Sequence, residues 1–160
     1  MSQVAVSAAL LWTGVANAAL YQFNLTGDYT AQWTLDSNVT PDVSEDGVGF
    51  IVYDVSGFPD AFFGVADISF FSSANNGGLV IEDYWTGIPL LQTDGPQLYT
   101  GTEDNPVFRL GTFALTEYLG SGSYTLNISN VSAVPEPATY GMLLAGLGLM
   151  GATLRRRRQH

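Results

Sequence analysis

The sequence predicts an all-β protein, an antiparallel β-sandwich with a jelly-roll-like arrangement, flanked by an N-terminal signal peptide and a single C-terminal transmembrane helix. Short runs of alternating apolar and polar residues recur along residues 19–132. Gly, Pro, Asn and Asp separate these runs roughly every 8 to 12 residues, a spacing typical of sandwiches and barrels. No long stretch of this region has the apolar period of 3.6 residues that indicates a helix.

The runs predict the strands in chain order. Tyr21, Phe23 and Leu25 alternate with polar residues in the first run, and Ala31 to Leu35 alternate in the second. The later runs surround Phe50 and Val52 and cover residues 61–71, 79–85, 97–100, 107–115 and 123–131. In residues 61–71 the pattern predicts burial of Phe63, Val65, Ile68 and Phe70. Residues 75–78 read Asn-Asn-Gly-Gly, which tolerates positive φ and predicts a hairpin into the next run.

The N-terminus has the pattern of a secretory signal. Residues 4–15 are apolar, and Ala16-Asn17-Ala18 places small residues where signal peptidase requires them. We expect cleavage after Ala18, with Ala19 as the first residue of the mature protein. No basic residue precedes the apolar run, so a first buried strand or helix is the alternative.

The C-terminal tail has three parts in sequence. Two prolines, Pro135 and Pro137, cannot join a sheet ladder and predict an extended linker. Residues 138–154 carry no charge and reach the lower limit of length for a bilayer span. Arginines at 155–158 then predict a cytoplasmic end. The domain organisation is therefore a signal peptide at 1–18, a β domain at 19–132 outside the cytoplasm and a tail at 133–160. The tail arginines are Arg155, Arg156, Arg157 and Arg158.

This tail resembles the PEP-CTERM sorting signal. The resemblance rests on Val134, Pro135, Glu136 and Pro137, on the apolar segment 138–154 and on the arginine cluster, in that order. It implies a bacterial protein that is exported, anchored in the inner membrane and processed by exosortase, a membrane-embedded enzyme, in bacteria that make extracellular polysaccharide. A plain single-span anchor with a chance Pro-Glu-Pro is the alternative.

Composition excludes several function classes. Before Pro135 the chain has 14 acidic residues and one basic residue, Arg109, a net charge of −13. Such a domain repels nucleic acid. Cysteine is absent and the only histidine is His160, which argues against thiolate metal sites and the usual nucleophilic triads. We therefore expect no enzymatic activity and no required cofactor.

Two groups of residues suggest binding. The acidic loop at 36–46 offers carboxylates that could hold Ca²⁺, although it lacks EF-hand spacing and a solvated loop is the commoner case. Its carboxylates are Asp36, Asp42, Glu45 and Asp46. Four aromatic residues could stack on sugars, although such residues more often fill a β core. They are Trp33, Tyr84, Trp85 and Tyr99.

The expected function is that of a structural or adhesive protein of the cell surface or of a polysaccharide-rich extracellular matrix. A carbohydrate- or calcium-binding module is the alternative, and a glycan-active enzyme, which needs two carboxylates facing each other across a cleft, is the third reading. The expected partners are signal peptidase, exosortase and extracellular polysaccharide.

Overall fold

The structure, a computed structural model, describes residues 19–131. This region contains eleven strands and two short 3₁₀ turns at Phe62–Gly64 and Ser73–Asn75. The strands are β1 (Leu20–Gly27), β2 (Ala31–Asp36), β3 (Val43–Glu45), β4 (Gly49–Ser56), β5 (Val65–Phe71), β6 (Leu79–Asp83), β7 (Pro89–Asp94), β8 (Tyr99–Thr102), β9 (Asn105–Phe108), β10 (Gly111–Glu117) and β11 (Ser123–Val131).

Nine strands form one antiparallel sheet in the order β2-β1-β11-β10-β7-β6-β5-β4-β3, and β8 and β9 form a separate hairpin. The prediction of an all-β antiparallel fold is confirmed. The jelly-roll-like sandwich is not confirmed, because β10 and β7 join the two halves of the sheet through the pairs Thr116–Asp94 and Glu117–Thr93. The sheet curls, and side chains of one half contact those of the other.

An aromatic core holds the two halves together. Phe23 from β1 lies 6.2 Å from Phe70 of β5, measured between ring centroids. Phe108 of β9 packs against both rings, at 4.9 and 5.0 Å. Phe50 of β4 stacks on Phe70 at 5.0 Å. Because each ring is at most 3 % exposed, burial of large apolar surface stabilises the curled arrangement without disulfides.

The strands differ from the predicted runs where the backbone turns. The predicted run 107–115 is broken, since the Arg109 amide donates to Leu98 O within the hairpin and Gly111 takes a φ of +135°. The run 61–71 becomes a strand only from Val65 onward. Two strands were not predicted: β3, within the acidic loop, and β7, which begins at a proline.

The hairpin predicted at residues 75–78 is confirmed, because β5 and β6 pair from Phe70–Leu79 onward. Among residues 19–131, no helix is long and apolar enough to cross a bilayer. The predicted signal peptide at 1–18 and the predicted transmembrane helix at 138–154 lie outside the described residues.

Candidate functional site: an exposed aromatic patch

Two connections meet at one end of the central strands. The loop at residues 57–64 joins β4 to β5, and the turn at residues 84–88 joins β6 to β7. The backbone amide of Tyr84 donates to Val65 O at 3.2 Å, which brings the turn against the end of the loop. We call the four aromatic residues of these connections the aromatic patch: Phe62, Phe63, Tyr84 and Trp85.

The rings of the aromatic patch face solvent and contact one another. Phe62, Phe63, Tyr84 and Trp85 are 57, 76, 41 and 61 % exposed. The Phe63 ring lies 4.2 Å from that of Phe62 and 6.1 Å from that of Trp85, with an edge-to-face geometry at Trp85. Tyr84 meets Trp85 at 5.2 Å, also edge to face. Contiguous exposed apolar surface of this kind usually marks an interaction site.

Asp83 holds the aromatic patch together. Its carboxylate is buried at the end of β6. One oxygen, Oδ2, accepts a hydrogen bond from the backbone amide of Phe62 in the neighbouring loop. The other, Oδ1, accepts from the amides of Trp85 and Thr86 at 3.0 and 2.8 Å and from Thr86 Oγ1 at 2.9 Å. One side chain thereby fixes both connections.

These donors decide the protonation state of Asp83. The hydrogen bond from the Phe62 amide has the largest influence and lowers the pKa of Asp83; burial partly offsets it, and the hydrogen bonds from Thr86 and Trp85 lower the pKa further. The carboxylate is therefore ionised at neutral pH, and its oxygens are occupied by donors. A carboxylate in this state orders a loop and is unsuited to act as a general acid.

Phe63 has a backbone conformation that is unfavourable for a residue with a β-carbon. Its φ of +57° lies in the left-handed region, which costs a residue with a β-carbon about 1 kcal/mol or more. Its side chain gains little from burial in return, since it is the most exposed ring of the aromatic patch. Strained backbone of this kind concentrates at functional sites.

The structure separates the four aromatic residues proposed to stack on sugars. Trp33 and Tyr99 lie in the core, 2 and 1 % exposed. Tyr84 and Trp85 are exposed in the aromatic patch, whereas the alternation pattern had wrongly placed Phe63 in the core. The signal for an exposed loop was present in the sequence, because Gly57 and Pro59 directly precede the run and Gly64 interrupts it.

The carboxylates of the acidic loop are not gathered into one cluster among the described residues. Asp36 ends β2, Glu45 ends β3, and Asp42 accepts a hydrogen bond from the Tyr53 amide at 2.8 Å. Across residues 19–131, no group of three or more His, Cys, Asp or Glu side chains could hold a metal ion. The predicted calcium ligands, which also include Asp46, are thus not brought together.

The remaining predicted sites lie at or beyond the edges of the described region. Ala19 O accepts a hydrogen bond from the Ser37 amide at 2.7 Å, so the expected first residue of the mature chain is tied to the end of β2. Ala16, Ala18, the Val-Pro-Glu-Pro segment and the four tail arginines fall outside the described residues and stay predictions.

The comparisons with known proteins find a match in the tail. The PEP-CTERM protein-sorting motif matches residues 133–158. No curated protein matches the chain, and no solved structure matches it. The chain therefore carries a PEP-CTERM protein-sorting motif, the signal of an exported protein that an exosortase sorts.

Proposed function

We propose that this exported protein is a non-enzymatic, adhesive component of a polysaccharide-rich matrix and that the aromatic patch is its polysaccharide-binding surface. The exposed, contiguous rings of Phe62, Phe63, Tyr84 and Trp85 carry the proposal. Sugar rings present apolar C–H faces that pack on aromatic rings, while their hydroxyl groups stay hydrated. A surface without such rings would instead have favoured a purely structural role.

The way the patch is held also favours binding. The carboxylate of Asp83 and the backbone of both connections position the rings before a ligand arrives, which reduces the entropy lost on binding. Because the Asp83 carboxylate is buried and accepts four hydrogen bonds, it offers no acid–base group to a bound glycan. This arrangement favours a binding module over a glycan-active enzyme at this surface.

The loop of the aromatic patch lies near the end of β1 that is opposite to both ends of the described region. Leu20 pairs with Val131, so both ends of the described region lie at one end of β1 and β11. Asp60, in the loop that carries Phe62 and Phe63, lies near Tyr29, which is in the turn at the other end of β1. Burial, and secondarily the charge of Asp60, raises the pKa of Tyr29 to about 12. An eight-residue strand puts these ends about 20 Å apart. On this proposal the inner-membrane precursor can present the patch outward, and the processed protein carries it to the cell surface or matrix.

Binding of a neutral polysaccharide to the protein exported by its native host tests the proposal. Using hydroxyethyl cellulose and calorimetry, we expect Trp85→Ala to weaken binding about tenfold, a loss of about 1.4 kcal/mol in binding free energy. The matched control is Val107→Ala, which truncates an apolar side chain of the β8–β9 hairpin that is also exposed, at 47 %. Equal affinity of both variants, with unchanged melting temperatures, would refute the role of the patch.

A further inference from the structure

A surface groove of about 370 Å³ lies at the opposite end of β5, β6 and β7 from the aromatic patch. Phe71 and Val80 line its apolar part. Gln92, Asp94 and Asn76 supply amide and carboxylate groups, and Tyr118 adds a ring that is 46 % exposed. The groove is formed by the outer face of the sheet, since the core-facing neighbours Phe70 and Leu79 are fully buried.

The walls of the groove are set by the backbone. Gly77 and Gly78 have φ of +62° and +70°, and a β-carbon on either would approach Gly95 O or Thr93 O to 2.2 or 2.4 Å. Hydrogen bonds to the neighbouring β3–β4 turn also hold this wall in place. Asn75 Nδ2 and Ser72 Oγ donate to Gly47 O at 3.1 and 2.6 Å.

The opposite wall is also attached to the sheet. The amide of Tyr118 donates to Gln92 O at 2.9 Å, next to the two residue pairs that join β10 to β7. The groove is thus pre-formed on both sides, as small-ligand sites usually are.

The lining specifies the chemical class of ligand. Amide and carboxylate groups beside an exposed tyrosine ring can hydrogen-bond hydroxyl groups while one sugar face packs on the ring. The lining includes Asp94 and no basic residue. Residues 19–131 carry Arg109 as their single basic residue, against 14 acidic residues, so a uronic-acid or phosphate-bearing polymer is repelled. A neutral glycan fits these groups.

We propose that the groove is a second glycan-binding site, for a short segment of a neutral polysaccharide, and that the protein is bivalent. The inference rests on the proposed function for the partner class, although the groove is a separate surface. The seven residues of β5 separate it from the aromatic patch by about 20 Å. Two sites at opposite ends of a rigid sheet can hold two polysaccharide chains and cross-link them.

The test compares groove and patch variants of the protein exported by the native host. The groove variant is Gln92→Ala with Tyr118→Ala, the patch variant is Phe63→Ala with Trp85→Ala, and Val107→Ala is the control. Calorimetry with a cello-oligosaccharide counts the sites, and light scattering with hydroxyethyl cellulose reports cross-linking. Alginate serves as the anionic probe.

We expect two sites per chain in the wild type and one in the groove variant, with the scattering increase lost and the patch affinity unchanged. Alginate should bind at least tenfold more weakly than the neutral polymer. One site in the wild type, with no effect of the groove variant, would overturn the groove alone. One site that only the groove variant removes would support the groove and refute the patch, and an absence of binding would refute both.

Discussion

The two ends of β5, β6 and β7 are organised by different means. At the patch end a buried, ionised side chain, Asp83, gathers amides from two connections. At the groove end the backbone itself is packed through Gly77 and Gly78, and the buried polar side chains, Ser72 and Thr93, are neutral. Thr93 Oγ1 bridges to the amide and carbonyl of Leu79 at 3.0 and 2.8 Å. One end therefore depends on a charge, and the other depends on close backbone contact.

The largest loss of unfolding free energy should come from a substitution at the groove end. Gly77→Ala is expected to lower the free energy of unfolding by about 3 kcal/mol, because the new β-carbon meets a carbonyl oxygen as well as an unfavourable φ. Gly87→Ala is the matched control at the patch end, since its φ is +65° but no atom lies within 4 Å. It should cost only about 1 kcal/mol. Similar losses in urea unfolding would show that the groove turn is no more tightly packed than the patch turn.

The stability contributed by Asp83 at the patch end should be lost in acid. The lowered pKa of Asp83 means that its ionised form contributes stability above the unfolded carboxyl pKa of about 3.9 and loses it as the pH falls through the lower folded value. We expect Asp83→Asn to lower the melting temperature at pH 7, because one amide oxygen cannot accept all four donors. The difference from wild type should shrink steadily below about pH 4.

Asp67 is a control for Asp83, because its pKa is shifted in the opposite direction. Burial, and secondarily the charges of Asp42 and Asp54, raise its pKa against the hydrogen bond from the Asp54 amide. Its contribution to stability is thus largest below the unfolded pKa and is lost as the pH rises. Asp67→Asn should raise the melting temperature at pH 7, with the advantage vanishing in acid. The same sign for both variants in thermal scans would contradict the contrast between the two carboxylates.

The smallest change in unfolding free energy is expected for Trp33, a core residue that contacts the loop at residues 57–64. Trp33 packs on Phe58 of that loop at 5.2 Å, and its indole Nε1 is buried without a hydrogen-bond partner among the described residues. Trp33→Phe removes this unpaired donor, a gain of about 1 to 3 kcal/mol that offsets a loss of packing of similar size. We expect a change in unfolding free energy of less than about 1 kcal/mol by urea titration. A loss above about 3 kcal/mol would mean that packing outweighs the unpaired N–H.

The groove end of the sheet could be predicted from the sequence better than the patch end. Alternation located β1, β2 and β11 because each has one buried face, and Asn-Asn-Gly-Gly located the groove turn because only its backbone requirements matter. The patch could not be derived in this way. Its geometry depends on Asp83 reaching a loop 21 residues earlier in the chain, and no local pattern records that contact. Tyr84 and Trp85 were candidates by residue type alone.

The pairing of the first strand with the last has a consequence for the timing of folding. β1 forms an eight-pair ladder with β11, from Leu20–Val131 to Gly27–Tyr124. Its contacts span nearly the whole described chain, and pairing of residues so distant in sequence is slow. If the chain is exported through a translocation channel from its N-terminus, the ladder can form only after residue 131 has left the channel, with the sorting motif at 133–158 immediately behind it. On that route, completion of the sheet coincides with arrival of the motif at the membrane, and a slowly folding domain would meet its processing enzyme with β1 still unpaired.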